Sequence, residues 1–519
     1  MATQNPTHPR RRLLPVVLAV SLVFSGFGAP AQAQRAAPIA KPMPSQQGNA
    51  PKDPVRLVAR SQPDFAMPSA NDCNRAPVFS EIPGRTPQEI AHPAAPIAAG
   101  KGKAALGGAR YGYTGRAGAD TMLREVARAS AAAPAPAVPA AMEAKEAPAL
   151  HKQALAKHSP APQIAVDQRV TAGVVDDNAD FAEYLAFRDR TDVPHRVRDV
   201  RQRYRLQVRD ADGRNVPDAQ VTVRGSSGAH WWGRTDAAGQ LWVMPDSFDP
   251  QPSPRYQVTV KHAHQTATAT LARGQKNAVD VQLAAPQQQA RKAQLDIVFL
   301  IDATGSMQDE IDKLKSSLQS ISRQIAQLPS QPSLCYSLIA YRDKGDEYLL
   351  RSYDFTNRLN AFQQALNGLQ ASGGGDMPES MGQALHTTVH KLSWRGAGTT
   401  RLVIALADAP PHLDYGAPYY DDAMLSAVGK GIKVFSVGAS GLDKQGEFIQ
   451  RQIAQYTGGK FVFLTYAQAS NPSSGAGTQT VHDVQNYSVD TLDSLIVRLV
   501  REELQNLPAQ TMQGAQKLL

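Results

Sequence analysis

From Leu295 onward the sequence switches repeatedly between two periodicities, and that alternation constrains the fold more than any other feature of the chain. Leu295 to Ile301 is a continuous apolar run of the kind buried on both faces of a parallel sheet. Directly after it, Met307, Ile311, Leu314, Leu318, Ile321, Ile325 and Leu328 recur at steps of three and four, the stripe of an amphipathic helix. The pattern continues through SLCYSLIAYRD, YLLRSYDF, a helix near Leu359 to Leu369 and a helix near Ser380 to Leu392. TRLVIALAD, a helix near Ala423 to Gly429, IKVFSVGAS, a helix near Glu447 to Tyr456 and KFVFLTY follow. Strands alternating with helices predict an α/β fold with a doubly wound, mostly parallel sheet, whose ligand crevice lies at the carboxyl ends of the strands. A polar loop from Ser470 to Gly477 and a closing helix over VDTLDSLIVRLVREEL complete a domain assigned to residues 294–507, with 508–519 as a tail.

Upstream the period falls to two. YRLQVRD, AQVTVRG, GQLWVMP, RYQVTVKH and NAVDVQL are short alternating runs separated by turn sequences such as Asp210-Ala-Asp-Gly213 and Asp236-Ala-Ala-Gly239. Strands at that spacing predict a small all-β, antiparallel sandwich over residues 203–285. Between 166 and 202, Phe181, Tyr184, Leu185 and Phe187 near helical spacing predict a short helical connecting segment that packs on one of the domains. Residues 34–165 are rich in Ala, Pro and Gly with few aromatics, too little apolar surface to offset ordering entropy, so a disordered linker is expected there.

Arg10, Arg11 and Arg12 precede an apolar run from Leu13 to Phe27 and an Ala31-Gln-Ala33 cleavage-like site, the order of a bacterial Sec-type signal peptide over residues 1–33. The expected location is periplasmic or secreted, with an uncleaved N-terminal anchor as the alternative. The run is shorter than the ~20 apolar residues of a spanning helix and no later segment reaches that length, so no transmembrane span is expected after cleavage. Two cysteines, Cys73 and Cys335, exclude a disulfide scaffold, and Cys335 within LCYSLIAY reads as a small buried hydrophobe rather than a bridge partner. Charge is divided, with 34 Lys/Arg against 24 Asp/Glu over residues 34–294 and 17 against 22 over 295–507. The basic front has no dense cluster with interleaved aromatics, so it reads as solvated chain and no nucleic-acid partner is expected.

Three loops fall at the predicted carboxyl ends of strands: Asp302-Ala-Thr-Gly-Ser306, Gly373-Gly-Gly-Asp-Met-Pro-Glu-Ser380 and Asp408-Ala-Pro-Pro-His412. In isolation, Asp302-x-Thr304-x-Ser306 is a helix cap. Two further acidic loops at neighbouring strand ends change the balance, because a hard divalent cation takes oxygen ligands and a carboxylate with two hydroxyls plus more acids supplies them. Asp343 and Asp346 in YRDKGDEY fit turn geometry better than a role beside the ion, and His412 after two prolines fits a loop-shaping or solvent-exposed residue better than a ligand.

FLIDATGSM, YRDKGDEY, GGGDMPES and ALADAPPH, in this order and spacing, resemble the von Willebrand factor type A domain with its metal-ion-dependent adhesion site. The resemblance covers about residues 294–465 and implies a divalent cation, Mg2+ first with Mn2+ or Ca2+ as alternatives, held by Asp302, Thr304, Ser306 and Asp408. It also implies a protein partner whose acidic side chain completes the coordination sphere. The family's second-loop threonine has no counterpart, and Asp376 or Glu379 stands in its place; an extra anionic ligand would tighten the ion and weaken its pull on a partner carboxylate. VRDADGRNVPDAQVTV followed by GRTDAAGQLWV resembles the carboxypeptidase regulatory-like, transthyretin-type domain, which implies a non-catalytic module in which Trp231, Trp232 and Trp242 serve packing rather than sugar stacking.

The leading expectation is therefore an exported, non-enzymatic binding protein acting through a cation site. A metal-free envelope assembly or accessory scaffold is the alternative. An enzyme is disfavoured, since the sequence has no Gly-x-Ser-x-Gly elbow, no His-Glu-x-x-His helix and no P-loop.

Overall fold

A computed structural model describes residues 73–85, 170–287, 292–375, 377–396 and 398–507. The signal-like segment, most of the 34–165 stretch, Asp376 and the tail lie outside the described residues. In chain order, the N-terminal part supplies β1 (Phe79–Pro83), β2 (Thr171–Val175) and α1 (Phe181–Arg190). Seven short strands follow: β3 (Tyr204–Arg209), β4 (Gln220–Gly225), β5 (His230–Arg234), β6 (Gln240–Val243), β7 (Arg255–His262), β8 (Gln265–Ala272) and β9 (Ala278–Gln282). The α/β part opens with β10 (Gln294–Asp302), α2 (Gln308–Ala326), β11 (Ser333–Tyr341), β12 (Tyr348–Thr356), α3 (Leu359–Asn367) and α4 (Met381–His390). It closes with β13 (Thr399–Ala407), α5 (Tyr420–Gly429), β14 (Ile432–Gly438), α6 (Lys444–Thr457), β15 (Phe461–Gln468), β16 (Asn471–Ala476), β17 (Ser488–Thr491) and α7 (Leu492–Gln505).

The large sheet runs β1-β12-β11-β10-β13-β14-β15-β2-β17. Its centre, β11-β10-β13-β14-β15, is parallel throughout, as a doubly wound fold requires. Strand alternation divides β10 between two cores. Leu295, Ile297, Phe299 and Ile301 join the cluster holding Met307, Ile311 and Leu314 of the α2 side and Leu495 of α7. Val298 and Leu300 join the opposite cluster, with Leu385 of α4 and Met424 of α5. Asp302, by parity, belongs to this second face, at the strand's last residue.

Several local expectations change. Within the stretch expected to be disordered, residues 73–85 add β1 antiparallel to β12, and Cys73 is disulfide-bonded to Cys335 with Cα atoms 6.1 Å apart. Cys335 is fully buried and also a bridge partner. The connecting segment supplies not only α1 but β2, which pairs antiparallel with both β15 and β17 inside the large sheet. The polar 470–477 loop contains β16, folded back on the end of β15. The closing helix starts at Leu492, because Thr491 is its N-cap and accepts from the Ser494 amide at 3.4 Å.

Residues 204–282 form a three-stranded sheet, β6-β3-β9, and a four-stranded sheet, β5-β4-β7-β8, antiparallel as expected except that β9 pairs with β3 in parallel, since the chain reaches it by crossing from the other sheet. Their inward residues, among them Leu206, Val221, Val258 and Trp231, belong to the same continuous cluster as the α4 and α5 side of the large sheet. Polar contacts reinforce this junction. Asp218, at φ 58° and nearly inaccessible, accepts from Arg234 and from Arg401 of β13, each at 3.0 Å, and from the Gly398 amide at 2.8 Å. Burial alone would push the Asp218 carboxyl up, but the two guanidiniums hold it below the usual range. Lys433 of β14 reaches Asp236 at 3.3 Å across the same junction.

Arg401→Met should cost about 3–5 kcal/mol of stability, because it leaves the buried Asp218 charge with one guanidinium partner fewer. Denaturant unfolding would read this directly, and a change under about 1 kcal/mol would contradict the assigned role.

Candidate metal centre

Parallel pairing sets the end of β10 beside the ends of its neighbours: Asp302 is in register with Tyr341 of β11, and Ile301 with Leu406 of β13, one residue before that strand ends and two before Asp408. Asp302 Oδ1 accepts from the Thr304 amide at 3.0 Å and its hydroxyl at 2.7 Å, and Thr304 Oγ1 lies 3.5 Å from Ser306 Oγ. The first loop is thus folded around its own acid. Asp302, Thr304 and Asp408 are buried, while Ser306 is exposed at the mouth.

The second loop approaches closely because it is glycine. A Cβ on Gly374, which has φ 67°, would stand 2.7 Å from Thr304 Cβ and 2.9 Å from Glu379 Oε1, so Thr304 and Glu379 flank this residue and leave room for nothing larger. The loop is tied to the first by Gly305 N to Gly373 O at 3.1 Å and Ser372 N to Ala303 O at 3.1 Å. The third loop is tied to it through Glu379, whose amide donates to Pro410 O and whose carbonyl accepts from the His412 amide, each at 3.0 Å.

Residues of YRDKGDEY stitch these loops together. Asp346 Oδ2 accepts from the Asp343 amide at 3.1 Å, a turn contact, and from the Gly374 amide at 3.2 Å. Asp343 accepts from Ser380 and from Tyr415, both at 2.6 Å. Arg342 donates to Ala303 O at 3.1 Å and Gln370 O at 2.7 Å. His412 shapes its loop, stacking on Tyr415 with ring centroids 3.5 Å apart and hydrogen-bonding Asp414 at 2.8 Å. Arg342, Tyr415 and Gly374 escaped the sequence reading because their roles depend on where the loops meet. The glycine triplet was the one available signal of close approach.

The electrostatics are those of an acid cluster short of positive charge. Asp302 Oδ2, Asp408 Oδ1 and Glu379 Oε2 are buried with no hydrogen-bond partner among the described residues. Burial and the charge of Asp408 push the Asp302 carboxyl well up; burial and Glu310 push Asp408 up, against the Ser306 hydroxyl. Glu379 is pushed up to about 9, by burial first and then by Asp302, Asp343, Asp346 and Asp408. Orphaned carboxylate oxygens beside two hydroxyls are a donor set that fits a hard divalent cation. Among the described residues no three His, Cys, Asp or Glu side chains stand close enough to enclose an ion by themselves. Holding one therefore needs the hydroxyls of Thr304 and Ser306 together with Asp302 and Asp408. Glu379 stands beside Thr304, and Asp376 lies outside the described residues.

Residues 296–411 match the family model of the von Willebrand factor A domain. A stretch of 123 residues is 32% identical to a protein described as ariadne-like RING finger from Acanthamoeba polyphaga mimivirus, covering 23% of this chain and 12% of that one. A stretch of 130 residues is 28% identical to an alpha-protein kinase of Dictyostelium discoideum, covering 25% of this chain and 20% of that one. The chain thus spans a fifth or less of the length of these curated relatives. Among solved structures, the pilus adhesin SpaC of Lactobacillus rhamnosus GG in its open conformation is 16% identical, covers 40% of this chain and 31% of its own, and has a TM-score of 0.26. The PilB minor pilin of Streptococcus sanguinis is 11% identical, covers 65% and 99%, and has a TM-score of 0.28. The match to the von Willebrand factor A domain is confined to residues 296–411, which run from β10 to the third acidic loop.

Because burial and mutual repulsion raise the Asp302, Asp408 and Glu379 carboxyls above their unfolded values, their contribution to stability falls as pH rises from the ordinary carboxylate range toward about 9. Metal-free wild type should therefore lose melting temperature over that window more steeply than Asp302→Asn, and excess Mg2+ should flatten the wild-type slope alone. Parallel slopes for the two proteins would contradict the assignment.

Proposed function

We propose that this chain is an exported, non-enzymatic binding protein that engages a protein partner through a divalent cation, Mg2+ first, at the end of β10 and β13. The observation that carries the reading is the set of buried, hydrogen-bond-free oxygens on Asp302, Asp408 and Glu379 beside the exposed Ser306 hydroxyl. A bound divalent cation supplies a positive charge with a coordination position open to a partner's oxygen. Asp302 and Asp408 would hold it, Thr304 and Ser306 would complete the protein's share, and Glu379 or Asp376 would contribute charge from the second loop. Asp302 orients Thr304 through its 2.7 Å hydrogen bond, and Asp343 and Asp346 keep the second and third loops in place.

Nothing about these hydroxyls favours nucleophilic catalysis. Among the described residues neither Thr304 nor Ser306 is hydrogen-bonded to a histidine or lysine that would act as base. Export is supported by the Arg-rich, apolar N-terminus and by the Cys73–Cys335 bridge, since disulfides persist in oxidising compartments. The metal-free scaffold stands as the second reading because Asp302, Thr304, Glu379 and Asp408 are each at most 2% exposed, and carboxyls this buried can also rest protonated.

Calorimetric titration of Mg2+, Mn2+ and Ca2+ decides between them. Wild type should bind at least one of these ions, and Asp302→Ala or Asp408→Ala should weaken it tenfold or more, about 1.4 kcal/mol. Wild type as silent as Asp302→Ala would leave the scaffold. A partner recovered from envelope extract should be lost on chelation and should not be recovered by Asp302→Ala.

A further inference from the structure

The four-stranded sheet β5-β4-β7-β8 turns one face to the core and the other to solvent, except at Arg234 of β5, which is buried in the junction with β13. Along β4, Val221 and Val223 are buried and Gln220 and Arg224 exposed; along β7, Tyr256, Val258 and Val260 are buried and Gln257 and Lys261 exposed. Register places Trp232, Thr222, Thr259 and Thr268 in one row across the four strands. With strands about 4.8 Å apart, that row is a flat strip roughly 14 Å long. Trp231 points inward and is buried, so the expectation that the tryptophans serve packing holds for it. Trp232 points outward, half-buried, with His230 beside it at 6.0 Å and 25° between ring planes.

The charge on this face is one-sided. None of the four strands contains an Asp or Glu, whereas Arg224, Arg255 and Lys261 are exposed. Among the described residues none of these three cations makes an ion pair or hydrogen bond through its side chain. Register sets Arg224 against Gln257, and Lys261 against Gln220 and Thr266, so cations bracket the Trp232 row on both sides.

We propose that this face binds an anionic polysaccharide. The apolar C–H face of a pyranose would lie on Trp232, the threonine hydroxyls and the Gln257 amide would hydrogen-bond the sugar hydroxyls, and Arg224 and Lys261 would meet acidic groups on the same chain. A protein partner would want an apolar centre, which a threonine and glutamine surface lacks. Single-stranded nucleic acid would want aromatic platforms following one another along the strip, whereas Trp232 and His230 lie together at one edge and the rest of the Trp232 row is threonine. The face is separate from the candidate cation site, and its ligand need not depend on divalent metal.

Binding of the full chain to immobilised polygalacturonate tests this, with neutral dextran and single-stranded DNA alongside. Wild type should be retained on polygalacturonate and not on dextran. Trp232→Ala and the pair Arg224→Gln with Lys261→Gln should each weaken retention about tenfold or more, and Trp232→Phe should restore part of it. These side chains are outward-facing, and an unaltered melting temperature confirms that each variant is folded. Absence of wild-type binding, equal retention on dextran, or retention indifferent to Trp232 and the two cations would each overturn the proposal. Single-stranded DNA held as tightly as polygalacturonate, with no effect of Trp232→Ala, would replace it with a generic polyanion surface.

Discussion

Strand β10 is the constraint on which the rest depends. Eight of its nine residues are buried, which is stable only if both faces are covered, and the two covering cores draw on α2 and α7 on one side and α4 and α5 on the other. A strand so enclosed has no freedom at its end. Asp302 is therefore delivered, fully buried, between the ends of β11 and β13, and the burial that fixes its position also raises the cost of its charge. The burial that a two-sided sheet requires is also what raises the Asp302 carboxyl and leaves it short of positive charge.

β13 connects the two polar features of the molecule. Arg401 near its start anchors Asp218 of the β-sandwich, and Asp408 follows its end. Seven residues at about 3.3 Å each separate them by roughly 23 Å, so the sandwich docks toward the far end of the strand from the candidate cation site. That leaves the loops at the carboxyl ends clear, and it leaves Arg224, Gln257 and Lys261 on the outer face of β5-β4-β7-β8 exposed.

Much of this was legible in the sequence, and the exceptions have a common cause. The order of strands and helices in the α/β part, the short strands of the sandwich and the three acidic loops all follow from local periodicity and turn chemistry, which a single chain displays. β1, β2 and the Cys73–Cys335 bridge do not, because each depends on a partner more than 260 residues away and lies in a segment with little pattern of its own. TAGVV lacks the apolar–polar alternation that marks the sandwich strands, and FSEIP is exposed along its whole length. At the site, Asp302, Thr304, Ser306 and Asp408 were readable from alternation and strand ends. The placing of Glu379 beside Thr304 was not, since it rests on a backbone approach that only Gly374 permits.

Anomalous diffraction from crystals grown with Mn2+ addresses the central claim most directly. The account predicts a single strong manganese peak held by oxygens of Asp302, Thr304, Ser306 and Asp408, directly or through solvent, and no such peak in Asp302→Ala. Crystals of wild type that hold manganese elsewhere, or nowhere, while Asp302 and Asp408 keep their present contacts, would contradict it.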